Sequence, residues 1–139
     1  MKTAIVYKSF LGTTRKYAEW LHESLESSLF KSSQVGESKL REYELIILCS
    51  GTYMGLISLR GYLKKTWGTL QWKKVMLLVV GLAPPENADS AKAFEKIPEH
   101  IRKNIKYFKI PGKVLSANSG KVTKENLQPV LEYINSLTA

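Results

Sequence analysis

The sequence predicts an α/β domain with a doubly wound, five-stranded parallel sheet that is covered by helices on both faces. Three short runs, residues 4–7, 44–49 and 75–80, are almost wholly apolar, which is typical of strands buried on both faces. Segments with apolar residues at three- and four-residue spacing separate these runs, and that spacing predicts helices. Strands that alternate with helices favour a parallel sheet.

The first predicted strand, residues 4–7, leads through a hydroxyl-rich turn into a predicted helix over 14–28. The turn consists of Ser9, Phe10, Leu11, Gly12, Thr13 and Thr14. A helix N-terminus offers unpaired N–H groups and a partial positive charge, so such a turn can bind a phosphate. A simpler alternative is that Thr13 only caps the helix, as a threonine in any such turn can.

The remaining elements follow the same pattern. In order, we predict a short edge strand within 29–35, a helical turn at 39–43, a strand at 44–49, a turn-rich loop at 50–57, a helix at 58–67, a strand at 75–80, a loop at 81–89, a helix at 90–104, a strand at 105–110 that could extend or repeat over 113–117, and a helix at 123–137. Gly68 occupies the position of a C-cap glycine, and Pro98 should kink or split its helix.

Three unusual loops, at 9–14, 50–57 and 81–89, follow the three strongest strands. Right-handed crossovers place all such loops at one edge of a parallel sheet, the carboxyl ends of the strands. Ligands bind at this edge in doubly wound folds. The sequence therefore predicts one binding site that the three loops share.

Composition limits the remaining possibilities. A chain of 139 residues is expected to form a single domain over residues 1–139. One cysteine, Cys49, excludes an internal disulfide, and with only two histidines, His22 and His100, no metal site is expected. No apolar run approaches the ~20 residues of a membrane span, and the first strand begins too soon for a signal peptide. We expect a cytoplasmic, metal-free protein.

The formal net charge of +9 is unusual, and two stretches, 60–74 and 102–113, contain basic residues without acids. Such charge can attract nucleic acid, an anionic membrane face or an acidic protein, or it can serve solubility alone. The aromatic residues in these stretches have the spacing of core residues, so nucleic-acid binding is not expected.

The first loop resembles the phosphate-binding loop of the flavodoxin family, roughly Ser/Thr-x-Thr-Gly-x-Thr. Ser9, Gly12 and Thr14 match this motif, while Leu11 replaces its middle threonine. The loop at 50–57 resembles the family's second loop, which often contains Met-Gly-Asp; here Met54 and Gly55 match and Leu56 replaces the acid. Element order is similar over the whole chain, and the resemblance implies the strand order 2-1-3-4-5.

This resemblance implies a non-covalently bound FMN and a role in electron transfer, with no catalytic residue of the chain's own. The implied FMN-binding residues are Ser9, Phe10, Leu11, Gly12, Thr13 and Thr14 at the phosphate, with Thr52, Tyr53, Met54, Gly55, Gly81, Leu82, Ala83 and Pro84 around the isoalloxazine ring. Tyr53 is the candidate for stacking on the ring. The alternative for Tyr53 is ordinary packing within its own loop.

Two other functions stay open. The N-terminal loop and basic character also resemble flavodoxin-like protoporphyrinogen dehydrogenases, which suggests an oxidoreductase acting on a quinone or a porphyrin-like substrate. Leu11 and Leu56 are compatible with a flavodoxin-fold binding module that has lost FMN. The expected partner is a redox protein or a small-molecule acceptor, and the basic surface could meet an acidic protein or an anionic membrane face.

Overall fold

The structure is a computed structural model, and it describes residues 1–10, 12–82, 88–112 and 121–137. The strands are β1 (Thr3–Lys8), β2 (Ser28–Lys31), β3 (Leu45–Tyr53), β4 (Leu56–Ile57), β5 (Lys74–Gly81) and β6 (Lys106–Pro111). The helices are α1 (Thr13–Ser24), α2 (Glu37–Leu40), α3 (Arg60–Leu70), α4 (Ala88–Glu95), α5 (Glu99–Arg102) and α6 (Gln128–Leu137), and 3₁₀ turns cover Ser32–Gln34 and Lys124–Leu127.

Five strands pair in parallel in the order β2-β1-β3-β5-β6. The predicted fold class and strand order are confirmed, because β4 is an added strand that lies outside this path. β4 pairs antiparallel with the end of β3, with Thr52 opposite Ile57 and Tyr53 opposite Leu56. The prediction of a loop over 50–57 is therefore wrong in part: most of that segment is a β-hairpin.

Alternate residues of the central strands face two separate cores, as a sheet covered on both faces requires. One core packs the sheet against α3 and α4 and includes Val6, Leu48, Leu63, Val79, Ala93 and Ile97. The other packs it against α1 and α6 and includes Ile5, Ile47, Tyr17, Leu78, Val130 and Ile134. Cys49 lies in the second core, and burial raises the pKa of its thiol to about 12.

Two helix boundaries differ from the predictions, and a third agrees. α3 continues through Gly68 to Leu70, so the C-cap prediction is wrong; burial of Leu70 stabilises the last turn. Pro98 separates α4 from α5, as predicted. The last helix is preceded by a 3₁₀ turn and begins only at Gln128. The predicted extension over 113–117 lies outside the described residues.

Polar contacts link the two ends of the chain behind the first turn. The Tyr17 hydroxyl of α1 donates to the Pro111 carbonyl at 2.5 Å and accepts from Asn126 Nδ2 at 2.9 Å. Burial raises the pKa of Tyr17. Helix α1 is therefore held in place by residues close to the other end of the chain.

The aromatic residues of the basic stretches pack mainly inside the fold. Tyr107 stacks on Phe94 with ring centroids 4.3 Å apart, and Trp67 is buried in a core. Trp72 is the exception, being 83% exposed. Within the described ranges, no helix is long and apolar enough to cross a membrane. Nor do three or more potential metal ligands cluster anywhere in that part of the chain.

Candidate functional site

The carboxyl ends of β1, β3 and β5 lie side by side. Parallel pairing places Lys8 beside Ser50 and Gly51 beside Val80. Residues that directly follow these strands therefore meet at one edge of the sheet, where doubly wound folds bind ligands.

The turn between β1 and α1 leaves the first helix without a side-chain cap. Gly12 is the N-cap residue, with φ +90°, and its N–H donates to Ser9 Oγ at 3.0 Å. A Cβ at Gly12 would meet no atom within 4 Å, so the positive φ, not space, favours glycine here. Thr13 lies inside the helix, so its interpretation as the cap is wrong. The first turn of α1 contains no acidic residue, so nothing on the helix itself neutralises its free N–H groups.

Thr13 and Thr14 are both buried, at 7% and 4% exposure. Thr13 Oγ1 is buried without a hydrogen-bond partner among the described residues. Such an unsatisfied hydroxyl costs about 1–3 kcal/mol. An acceptor-rich ligand at the N-terminus of α1 would satisfy it, so these residues fit a phosphate-bearing group.

A cleft of about 380 Å³ opens beside this turn. It is lined by Ser9, Phe10, Thr13, Thr14, Gly51, Thr52, Tyr53, Val80, Gly81, Leu82 and Gly112. Ser9, Thr13 and Thr14 supply hydroxyls near α1, and Tyr53, Val80 and Leu82 supply aromatic and apolar groups at the ends of β3 and β5. A ligand with one anionic end and one flat apolar end fits this division.

The hairpin between β3 and β4 projects beyond the sheet at the mouth of the cleft. Met54 and Gly55 form its loop with φ +50° and +76°, the two positive values of a type I′ turn. Tyr53 is 57% exposed, and its ring lies 5.3 Å from that of Phe10, which is 78% exposed. Two large aromatic side chains are thus available at the surface of the site.

Two glycines allow the ends of β5 and β6 to approach closely. A Cβ at Gly112 would lie 3.0 Å from both Gly81 N and Val80 Cγ1, and one at Gly81 would lie 3.2 Å from Thr52 Oγ1. Gly112 N–H donates to the Gly81 carbonyl at 3.0 Å. Sequence analysis did not select Gly51 or Gly112, although each is a glycine at or just after the end of a strand.

The structure brings most of the predicted FMN-binding residues to this edge. Eight of them line the cleft: Ser9, Phe10, Thr13, Thr14, Thr52, Tyr53, Gly81 and Leu82. Gly12 shapes the turn beside it. Gly55 lines a neighbouring cavity instead, and Met54 points to solvent with 83% exposure. Leu11, Ala83 and Pro84 lie outside the described residues.

Comparison with known proteins identifies relatives of this fold. Residues 4–132 match the family model described as "Flavodoxin domain". No curated protein matches the sequence. These matches do not show the expected resemblance to protoporphyrinogen dehydrogenases.

Solved structures are similar over nearly the whole chain. The flavodoxin of Streptococcus pneumoniae TIGR4 has 16% identity and a TM-score of 0.64, covering 98% of this chain and 99% of that one. Oxidised flavodoxin 2 from Bacillus cereus has 20% identity and a TM-score of 0.62, and the match covers 96% of this chain and 94% of that one. A Lactobacillus acidophilus NCFM flavoprotein, solved in complex with FMN, has 15% identity and a TM-score of 0.55. The match covers 85% of this chain and 94% of that one. At these identities the likeness shows the fold.

Proposed function

The chain belongs to the flavodoxin domain family, and from this premise we propose that it binds FMN non-covalently in the cleft and works in electron transfer. When bound, FMN supplies the redox chemistry through its isoalloxazine ring. The chain's own residues position the cofactor, limit its contact with water and present it to a partner.

The uncapped start of α1 is the observation that carries this proposal. Thr13 Oγ1 is buried, has no hydrogen-bond partner in the part of the chain that the structure describes, and lies at the same turn as the free N–H groups of the helix. We assign the phosphate to Ser9, Gly12, Thr13 and Thr14, with the backbone N–H groups of Phe10 and Leu11. Hydrogen bonds to a charged phosphate are stronger than bonds between neutral groups.

The wider part of the cleft suits the isoalloxazine ring. Thr52 and Tyr53 would flank it on one side, and Gly81 and Leu82 on the other. Tyr53 is proposed to stack on the ring, which adds about 0.5–1.5 kcal/mol beyond the burial of area. Because Tyr53 is 57% exposed and its ring lies 5.3 Å from the exposed Phe10 ring, it can turn toward a flat ligand at little cost.

The partner is proposed to approach the same edge. Phe10, Tyr53, Met54 and Leu82 are exposed apolar residues at or beside the mouth of the cleft, and exposed patches of this kind mark contact sites. A redox protein with an acidic surface would also be attracted by the net charge of +9. An oxidoreductase that acts on a small molecule is the second candidate, because a further cavity adjoins the cleft.

A comparison of FMN with riboflavin tests the phosphate assignment. Wild-type protein should bind one FMN per chain and riboflavin more weakly. Thr13→Val should weaken FMN binding by about 1.5–3 kcal/mol, since it removes a donor to a charged acceptor, and should leave riboflavin binding unchanged. The unliganded variant should unfold at the same or a higher denaturant concentration, because an unsatisfied buried hydroxyl is lost. Fluorescence titration and urea denaturation measure the two quantities.

Thr66→Val is the matched control. Thr66 is equally buried, but its hydroxyl donates to the Tyr62 carbonyl at 2.8 Å, far along α3 from the cleft. This variant should lose stability without changing the preference for FMN over riboflavin. Equal binding of the two flavins by wild type would refute the phosphate assignment. Failure to bind either flavin would favour the binding module that has lost FMN.

A further inference from the structure

The fold brings the two acid-free basic stretches of the sequence together. Residues 60–74 lead through α3 into β5, and residues 102–113 lead from the end of α5 into β6. β5 and β6 are parallel neighbours in which Met76 pairs with Lys106, so the turns that precede the two strands lie next to each other. These turns are at the amino edge of the sheet, opposite the edge that carries the cleft.

Trp72 lies in the turn before β5 and is 83% exposed, whereas Trp67, five positions earlier, is buried in a core. Among the described residues, no other aromatic ring stacks on Trp72 and no ammonium group lies over it. A tryptophan has a large apolar surface to bury, and exposed tryptophans are enriched at protein interfaces. Trp72 is therefore a candidate contact residue.

Hydrogen bonds hold the turn that carries Trp72. The N–H of the next residue, Lys73, donates to the Leu70 carbonyl at 2.9 Å. The Lys73 ammonium group donates to the Arg41 and Tyr43 carbonyls at 3.1 and 2.5 Å, which ties the turn to the chain before β3. Because its backbone is already fixed, a partner would lose little entropy in ordering this turn.

Three exposed lysines belong to the same edge. Lys74 begins β5, Lys103 follows α5, and Lys106 begins β6. In the part of the chain that the structure describes, none of the three forms an ion pair. We call Trp72, Lys73, Lys74, Lys103 and Lys106 the amino-edge patch.

Two acids that precede β3, Glu42 and Glu44, are already engaged by basic groups near β1. Glu42 forms ion pairs with Lys39 at 3.2 Å and with Lys2 at 3.6 Å. Glu44 Oε1 accepts a hydrogen bond from the Lys2 N–H at 3.3 Å. The β5–β6 side of the amino edge therefore keeps its positive charge.

We propose that the amino-edge patch binds an acidic segment of a partner protein. One apolar side chain of that segment packs on Trp72, and its carboxylates meet the lysines. Tryptophan is frequent among the residues that dominate binding energy, and complementary charge orients and accelerates docking. Because this edge is opposite the cleft, a partner held here leaves the cleft accessible. The inference goes beyond the proposed function and does not depend on it.

The chemistry of the patch favours a protein segment over two other anionic surfaces. Nucleic acid is commonly bound through several exposed aromatic side chains, whereas Tyr107 and Phe108 of β6 pack against other rings of the fold. A membrane surface is wide and flat, so it would also bring Glu42 and Glu44 against its own negative charge. A short protein segment can contact the β5–β6 side alone.

Calorimetric titration with three synthetic peptides tests the proposal. The first peptide has a leucine between two runs of glutamate; the second replaces the glutamates by glutamine, and the third replaces the leucine by serine. Wild-type protein should bind the first peptide at least tenfold more tightly than either of the others, and higher ionic strength should weaken this binding. Equal binding of the three peptides, or no binding of the first, would overturn the inference.

Variants of the patch separate its apolar and its charged contributions. Trp72→Ala should weaken binding of the first peptide at least fivefold, while Trp72→Phe should retain most of the affinity because it keeps an aromatic ring. Lys74→Gln with Lys103→Gln should also weaken this binding at least fivefold and leave binding of the glutamine peptide unchanged. Since these side chains are exposed, urea denaturation should show unchanged stability in all three variants.

Two controls locate the effect. Lys64→Gln with Lys65→Gln makes the same change in net charge at two exposed lysines in the middle of α3. Met54→Ala truncates a side chain of a residue that is also 83% exposed, at the opposite edge of the sheet. Both controls should bind the first peptide within twofold of wild type. If either control weakens binding as much as the patch variant it matches, the inference is wrong.

Titrations with other ligands decide between the possible occupants. Vesicles that contain phosphatidylserine, and a single-stranded oligonucleotide, should bind wild type no better than Trp72→Ala. Binding of either one that depends on Trp72, without binding of the first peptide, would overturn the assignment of a protein partner. Saturating FMN should leave the affinity for the first peptide unchanged, and competition between them would overturn the inference. Peptide binding by a protein that takes up no flavin would refute the proposed function alone.

Discussion

Residues 45–49 of β3 have no solvent exposure, whereas a few residues later the same strand carries Tyr53 at 57% exposure and leads to Met54 at 83%. The same strands thus form both the interior of the sheet, where side chains are buried, and its carboxyl edge, where side chains are exposed. In the interior every side chain packs against one of two cores. Among the residues that the structure describes at the edge are an unsatisfied threonine hydroxyl and three residues with positive φ.

This difference shows where the stability of the molecule comes from and where it is reduced. Burial of apolar area in the interior is the main favourable contribution. Strained or unsatisfied groups persist only where the surrounding structure holds them, and they concentrate at functional sites. Substitutions in the interior should therefore lower stability, while several at the edge should change ligand binding more than stability.

The largest effect is expected from Ile47→Ala in the interior. Ile47 is fully buried between β1 and β5, facing α1 and α6. The truncation should lower the free energy of unfolding by about 2–5 kcal/mol, because apolar contacts are lost and a cavity remains. Urea denaturation monitored by circular dichroism measures the loss. A loss below about 1 kcal/mol would contradict the contrast between interior and edge.

An intermediate effect is expected from Gly112→Ala at the edge. The new Cβ would lie 3.0 Å from Gly81 N, so β5 and β6 must separate by a few tenths of an ångström. We expect a loss of about 1–3 kcal/mol in stability and a weaker affinity for FMN. Gly36→Ala is the control, because nothing lies within 4 Å of its Cβ; denaturation and flavin titration should show little change in it.

The smallest effect is expected from Met54→Asn. Met54 has φ +50° at the first position of the hairpin loop, where asparagine is preferred, and a left-handed conformation costs an ordinary residue about 1–2 kcal/mol. The exchange should raise the free energy of unfolding by up to about 1 kcal/mol, measured as a higher urea midpoint. A lower midpoint would mean that the exposed methionine stabilises the hairpin in another way.

The sequence was sufficient to predict the interior and the edge of the sheet at which the strand ends meet. Runs of apolar residues such as 75–80 predict strands buried on both faces, because so short a run suits a strand better than a helix. Pro98 predicted the break between α4 and α5 because it cannot donate within a helix. The convergence of the loops then follows from the handedness of the crossovers.

The details of the edge could not be predicted in the same way. Met54-Gly55 lacks the usual Asn-Gly signal of a hairpin, so β4 was missed. Gly68 resembled a helix end, but burial of Leu70 extends α3 beyond it. The cavity that adjoins the cleft was also missed, because only the fold brings Lys109 of β6 together with Lys92 and Lys96.

The bond from the Tyr17 hydroxyl to the Pro111 carbonyl has a consequence for biosynthesis. The two residues are 94 positions apart, and Asn126, the other partner of this hydroxyl, is 109 positions from it. At ~5–20 residues per second, several seconds of translation separate the emergence of α1 from that of the residues that fix it. A nascent chain that has not yet exposed Asn126 lacks the contacts that position α1, so we expect the proposed FMN to bind only after this residue has emerged from the ribosome.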